Sequence, residues 1–275
     1  LILGERLSPF NQASEGFFDM FDVVIQLGAI LAVVVLFWNK IWPFYLKKNK
    51  QPKKGGIVKS AKDPAVGNVA LSMDAFWMWV KIVVACIPAV VYGLLFDDAV
   101  SEAFKKEIGG SGVTIQVIVV AVMLVLVGVL FIVIENWNKN RVPTTTKLSQ
   151  LTYRDALIIG LCQLVAAALP GTSRSGATIL GAIMIGISRT VAAEFTFFLA
   201  IPVMFGASLL KVLKFGFAFM GMELACLLVG TVVSFIVSLF VLRFLMGYIK
   251  KHDFKVFGWY RIVLGIILLL YFLVF

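Results

Sequence analysis

The stretch Pro170-Gly171-Thr172-Ser173-Arg174-Ser175-Gly176-Ala177-Thr178 is polar, yet it lies between two apolar runs, 156–169 and 179–187. At about 1.5 Å of rise per helical residue, each run covers roughly 13–21 Å. A bilayer's hydrocarbon core is about 30 Å thick. Neither run crosses it, so the pair reads as a re-entrant helix–loop–helix with its break at membrane depth. Such a break is tolerated only where protein or a watery cavity surrounds it. A discontinuous helix of this kind is also the strongest sequence pointer to a binding site near the midplane.

The residue types in the break suit a phosphate. Gly171 and Gly176 permit backbone conformations closed to other residues and let a ligand approach. Thr172, Ser173 or Ser175 can cap the following helix, whose first N–H groups then favour an anion. Arg174 adds a planar fork of donors matched to phosphate oxygens. Ser173, Ser175 and Thr178 offer hydroxyls as hydrogen-bond donors or as nucleophiles. The plainer alternative is a cytoplasmic turn with a capped helix and an arginine among the headgroups. The cost of intramembrane charge favours the phosphate site.

Composition supplies the setting. Of 275 residues, 61% are hydrophobic and the net charge is +10. Soluble domains are only about 45–50% apolar. The fold class expected is an all-α polytopic membrane protein, with transmembrane helices, re-entrant helix–loop–helix elements and an inverted-topology repeat. Apolar spans fall at 17–38, 74–96, 113–137, 191–213, 220–248 and 257–275. The basic residues gather in loops 40–62, 138–154 and 250–255, which alternate to one side as the positive-inside rule requires. They indicate cytoplasmic ends and contact with membrane lipids, and no nucleic-acid module is visible. Cys86, Cys162 and Cys226 lie in apolar runs and read as small core residues, with no disulfide or metal spacing. Loop 40–62 reads as mobile and cytoplasmic.

Other polar residues in the spans divide less cleanly. Asp19, Asp22 and Gln26 share one helix face, and Gln26, the deepest, is a candidate for the site or for an interhelical hydrogen bond. Gln163, on the inward half-helix, has the same two readings. Glu194 is expected to cap the start of its span. Lys81 and Arg261 are expected to snorkel to the interface. His252, the single histidine, sits in a basic loop and reads as a surface residue.

The segments 20–32 and 194–206 align at a constant offset, with Phe21 against Phe195 and Gly28 against Pro202. The first span runs outside-to-in and the fourth inside-to-out, so the repeat would be inverted, as in many transporters. The chain is read as a single transmembrane domain, 1–275, with halves at about 1–137 and 154–275. If the repeat holds, the first half's counterpart of the polar break is expected just before Leu1.

The nine residues Pro170–Thr178 match the pattern Pro-Gly-x-Ser-Arg-Ser-x-x-Thr and closely resemble the signature of the undecaprenyl-diphosphatase, or bacitracin-resistance, family. The run 21–33, Ile87-Pro88-Ala89-Val90, Thr152-Tyr153-Arg154-Asp155-Ala156 and the run 194–202 are similar to the same family, so the resemblance covers nearly the whole chain. It implies an enzyme of the bacterial plasma membrane that hydrolyses undecaprenyl diphosphate to undecaprenyl phosphate and phosphate on the outer side. This recycles the carrier of peptidoglycan synthesis. Arg174, Ser173 and Thr178 then become the expected catalytic residues. Gly171, Thr172, Ser175, Gly176, Gln163 and Gln26 become the expected substrate-binding residues. The resemblance also implies a divalent cation, Mg or Ca, and no organic cofactor. In the family a segment resembling Glu-Gly-x-Thr-Glu and Ser-Ser-Thr-Gly-His precedes the point where Leu1 stands and carries acids and a histidine for metal binding and catalysis. Truncated coverage is the expectation here, and the metal ligands and the nucleophile stay unassigned. A transporter or lipid flippase on the same inverted repeat is the alternative; oligomeric state is not readable.

Overall fold

The computed structural model describes residues 16–46, 65–66, 69–95, 115–216 and 221–274. Among them the order is α1 (Phe17–Val24), α2 (Gln26–Leu36), α3 (Trp38–Ile41), β1 (Phe44–Leu46), β2 (Ala65–Val66), β3 (Val69–Leu71) and α4 (Met73–Leu95). Then come α5 (Ile115–Asn138), a short 3-10 turn, α6 (Tyr153–Ala168), α7 (Arg174–Met184), α8 (Arg189–Phe215), α9 (Gly221–Ile249) and α10 (Lys255–Val274). Among the described residues, six spans are long and apolar enough to cross a membrane: Phe17–Leu36, Met73–Gly93, Val117–Asn138, Arg189–Phe215, Gly221–Ile249 and Lys255–Phe272. The protein is an all-α multi-pass membrane protein. Its outward helix faces carry bare apolar side chains such as Phe240, Phe244 and Ile267, which suits lipid and would not suit water.

The sequence reading contained no strands. The described ends of the Lys-rich connection nevertheless pair as a small antiparallel sheet in the order β1-β3-β2, with Phe44 opposite Leu71 and Ala65 opposite Ala70. Residues 47–62 of that expected mobile loop lie outside the described residues.

The chain forms two compact units. The first joins α1–α3 to α8 from Ala200 and to α9 as far as Leu245. Its core is Phe17, Met20 and Val24, packed by Phe21, Leu27, Val212, Phe215 and Leu227. Gly28 lies so close to the backbone of Thr231 and Phe235 that no side chain fits there. Ser208 ties the two segments by donating to the Val23 carbonyl at 3.2 Å.

The second unit takes the rest, from Trp42 to Leu199 and from Met246 onward. Small residues set its spacing. A methyl on Gly128 would stand 2.7 Å from the Gly258 carbonyl oxygen, and one on Gly258 would stand 2.7 Å from that of Gly128. Gly265 meets the Ala121 carbonyl in the same way at 2.8 Å. So α5 and α10 run almost backbone to backbone, the close packing that small residues allow in membranes. Gly160 does the same for α6 against Ala85 of α4, and Gly181 for α7 against Cys162 of α6.

The short helices α6 and α7 carry their own punctuation. The Asp155 N–H donates to the Thr152 hydroxyl at 3.1 Å and the Thr152 N–H to the Asp155 carboxylate at 2.9 Å, which starts α6. Pro170 disfavours helical backbone at Leu169, where α6 stops. At the far end of α7, Gly186 takes a φ of 91°, and the Ile187 N–H returns to the Ala182 carbonyl at 3.1 Å. The segment after α5 straps this end down, with Thr144 N–H donating to the Gly186 carbonyl and Ser188 N–H to that of Thr145, both at 2.9 Å.

One buried ion pair joins three helices of the second unit. The Glu135 carboxylate, on α5, is 1% exposed. It accepts from Arg189 Nε at 2.9 and 3.0 Å, from Arg189 Nη2, and from the Phe254 N–H at 3.0 Å. The clamp thus ties the end of α5 to the starts of α8 and α10. Arg189→Ala leaves the carboxylate buried with a single N–H, a loss of about 3–5 kcal/mol. Glu135→Ala leaves a guanidinium whose side chain is already 38% exposed, so it costs less. Thermal unfolding in detergent checks that order, and an unchanged Tm in both variants would dismiss the clamp.

Candidate functional site

The break between α6 and α7 is five residues long, Leu169–Ser173. At about 1.5 Å per residue the two helices are roughly 24 and 16 Å long, so neither spans a bilayer alone. Gly171 sits at a φ of 87°, and a methyl there would lie 2.7 Å from the backbone of Val120 on α5. Both facts demand glycine. The loop is thereby pressed against a full-length transmembrane helix, which supplies the protein surroundings that polar backbone needs at this depth.

Ser173 is the single non-glycine residue with positive φ, 59°, among the described residues. That conformation strains a side-chain-bearing residue, and such strain concentrates at functional sites. It puts the Ser173 hydroxyl over the start of α7, where it accepts from the Gly176 N–H at 3.3 Å and lies 3.3 Å from the Ser175 hydroxyl. The N–H groups of Arg174 and Ser175 stand in the first turn, where helix geometry gives them no carbonyl of their own helix. Arg174 and Ser175 are exposed at this helix start, while Gly176 is buried.

Thr178 is placed differently. Its hydroxyl is buried and donates back to the carbonyls of Arg174 at 2.9 Å and Ser175 at 3.1 Å, while accepting from Thr196 of α8 at 3.1 Å. It braces the turn that carries Arg174 and Ser175. Two buried polar atoms in this region have no hydrogen-bond partner: Thr172 Oγ1 in the break and Gln163 Nε2 on α6. An unpaired buried donor or acceptor costs about 1–3 kcal/mol, so both are suited to a polar ligand.

A second arginine reaches the break. Arg261, on α10, was expected to snorkel. Its Nη1 instead donates to the Thr172 carbonyl at 3.4 Å, and its guanidinium lies 5.6 Å from the Phe131 ring centroid. A methyl on Gly176 would meet Arg261 Nη2 at 3.3 Å, so Gly176 leaves room for that guanidinium. The signal was legible. Gly258, Arg261 and Gly265 fall at helical spacings of three and four, on one face. Two glycines on that face mark a protein contact, so an arginine among them points to protein and not to lipid.

The remaining residues sort as follows. Gln26 lies in the first unit, exposed, its amide donating to the Asp22 carbonyl at 3.0 Å. Lys81, also expected to snorkel, is 9% exposed and holds its ammonium 6.0 Å from the Tyr153 ring. Glu194 does not cap α8, which begins earlier, at Arg189, and leaves it buried in the second turn. His252 stacks on Tyr248 with ring centroids 4.4 Å apart and is exposed, as a surface residue. Among the described residues no three His, Cys, Asp or Glu stand together as a metal cluster. The residues at the break therefore do not fit a metal site by themselves, and no metal ligand is assigned.

A family model described as bacitracin resistance protein BacA matches residues 1–267. A protein of Desulfitobacterium hafniense named undecaprenyl-diphosphatase is 55% identical over 272 residues, 99% of this chain and 87% of its own length. Proteins of the same name from Enterococcus faecalis and Acetivibrio thermocellus are 54% and 51% identical, covering 98% and 99% of this chain and 87% and 89% of their own.

Gly171→Ala tests the loop. A left-handed backbone costs an alanine about 1–2 kcal/mol, and the methyl collides with Val120 besides. A clearly lower Tm in detergent is expected, with Gly206→Ala, whose methyl meets nothing within 4 Å, as the innocuous control. Equal Tm values for the two would refute the pressed-loop geometry.

Proposed function

The chain belongs to the BacA family of bacitracin resistance proteins, and on that premise we propose that it hydrolyses undecaprenyl diphosphate. Water adds at the terminal phosphorus, the bond from that phosphorus to the bridging oxygen breaks, and the products are undecaprenyl phosphate and inorganic phosphate. The single observation that carries the reading is the convergence of Arg174, Arg261 and the start of α7 on one break held inside the helical bundle.

In this proposal the diphosphate lies at the start of α7. Arg174 and Arg261 hold its oxygens and offset the charge that grows in the transition state. The unpaired Gln163 amide and Thr172 hydroxyl complete the cradle, and the hydroxyls of Ser173 and Ser175 hydrogen-bond the phosphate. Thr178 is a positioning residue, since its hydroxyl is occupied with the turn beneath Arg174. The apolar helix faces accommodate the polyprenyl tail. A divalent cation would supply charge neutralisation and Lewis acidity; it enters from the family resemblance, and no step here runs through it. The bacterial plasma membrane is the proposed location and the outer, periplasm-facing side the proposed side of processing.

The inverted repeat, with halves at about 1–137 and 154–275 of one transmembrane domain, belongs to the same proposal. The broken helix α6–α7 also suits a carrier. The two readings separate in detergent, where a hydrolase releases phosphate and a carrier does nothing measurable.

The test is phosphate release from undecaprenyl diphosphate by protein purified from its natural reading frame, with and without chelator. Arg174→Ala is expected to lower kcat about 100- to 1,000-fold, the usual cost of losing one transition-state donor, with Tm retained. Arg261→Ala is expected to lower kcat/KM by about tenfold or more, with partial rescue by Arg261→Lys. Near-normal turnover in Arg174→Ala would overturn the site, and no release by the folded parent would move the weight to transport.

A further inference from the structure

The far end of α7 lines a cavity of about 610 Å³. Its walls are the stretch from Asn138 to Thr144, the turn 183–190, and Ile249 with Lys250. At about 1.5 Å per residue, the length of α7 separates it from the break by roughly 16 Å. Four cations line it: Lys139, Arg141, Arg189 and Lys250. No acidic residue does. The charge of Arg189 is spent on Glu135, and the nearby Asp253 pairs with Lys255 at 3.6 Å. Lys139, Arg141 and Lys250 are exposed and have no carboxylate partner among the described residues.

Three further observations give the cavity a chemical character. The Arg141 guanidinium stacks on Trp137 at 3.7 Å, which orders it. Trp137 is half-exposed, and a tryptophan at the end of an apolar span sits at headgroup level. Beside the cations the cavity presents the polar side chains of Ser188 and Thr190 and the bare apolar surfaces of Val142 and Met184. Uncompensated positive charge at headgroup level, with an apolar lip, suits a phosphate ester.

We propose that this cavity binds a phosphate-bearing anion at the basic end of the protein, the end the positive-inside rule places in the cytoplasm. The same chemistry can come from the headgroup of an anionic phospholipid or from free inorganic phosphate. The binding is independent of the catalytic reading, because none of the three cations belongs to the break.

The test compares the parent with Lys139→Gln/Arg141→Gln/Lys250→Gln and with Lys250→Glu alone. Native mass spectrometry counts phosphatidylglycerol and phosphatidylcholine retained from an equimolar mixture. A second arm follows Tm in neutral detergent with millimolar inorganic phosphate. Each cation near an anionic ligand is worth about 1 kcal/mol, so the triple variant is expected to lose phosphatidylglycerol retention by at least about tenfold, while still hydrolysing substrate at the parental rate. Lys250→Glu loses part of it and guards against a folding defect in the triple variant. Loss confined to the lipid arm identifies a headgroup, and loss confined to the phosphate-induced Tm shift identifies the free ion. Retention and Tm shift equal to the parent's in both variants would overturn the proposal.

Discussion

Backbone polar groups have no water to turn to inside a bilayer, and the described part of the second unit is arranged around a break between two helices each too short to span one. The break at Leu169–Ser173 is held because α5 comes within van der Waals distance of Gly171 and because Arg261 offers a donor to the Thr172 carbonyl. Protein therefore takes the place of water. Among the described residues, two buried side-chain atoms near the break stay without a hydrogen-bond partner, the Thr172 hydroxyl and the Gln163 amide nitrogen.

The same closeness explains the glycines and the charges together. Gly128, Gly258 and Gly265 bring α10 onto α5, and this packing carries Arg261 inward to the break. An arginine inside a membrane is costly unless it faces protein or a polar cavity. Here it faces both a carbonyl and an aromatic ring. At the other end of α5, Glu135 and Arg189 solve a similar problem by mutual neutralisation, with the Phe254 N–H taking a remaining lone pair.

Between the break and Arg189 the chain forms α7. Its start carries a strained Ser173 and the exposed Arg174. Its end is closed by Gly186 and strapped by Thr144 and Thr145. Thr178, bonded to Thr196, fixes the rotation of the helix against α8. A short helix pinned at both ends and on one face is a rigid element, and rigidity is what a preorganised anion site requires.

Much of this was legible in the sequence. Long apolar runs separated by basic loops dictate a multi-pass helical protein, because only a helix satisfies the backbone locally in lipid. Two short runs flanking Pro170–Thr178 dictate a break, and Gly171 and Ser173 announce its turn and the capped start of α7, because capping and conformational freedom are local properties. Tertiary structure decided what is not local. Arg261 joined the break instead of snorkelling: Gly258 and Gly265 mark its helix face as a protein contact in the sequence, but only packing against the distant Gly128 and Ala121 decided that the contact is α5. Thr178, expected among the catalytic residues, braces the turn beneath Arg174 because Thr196 came to stand beside it. Lys81 was buried with its ammonium 6.0 Å from the Tyr153 ring, and Glu194 fell within α8 because that helix starts at Arg189. In each case the side chain's chemistry was written in the sequence, and its partner was chosen by packing.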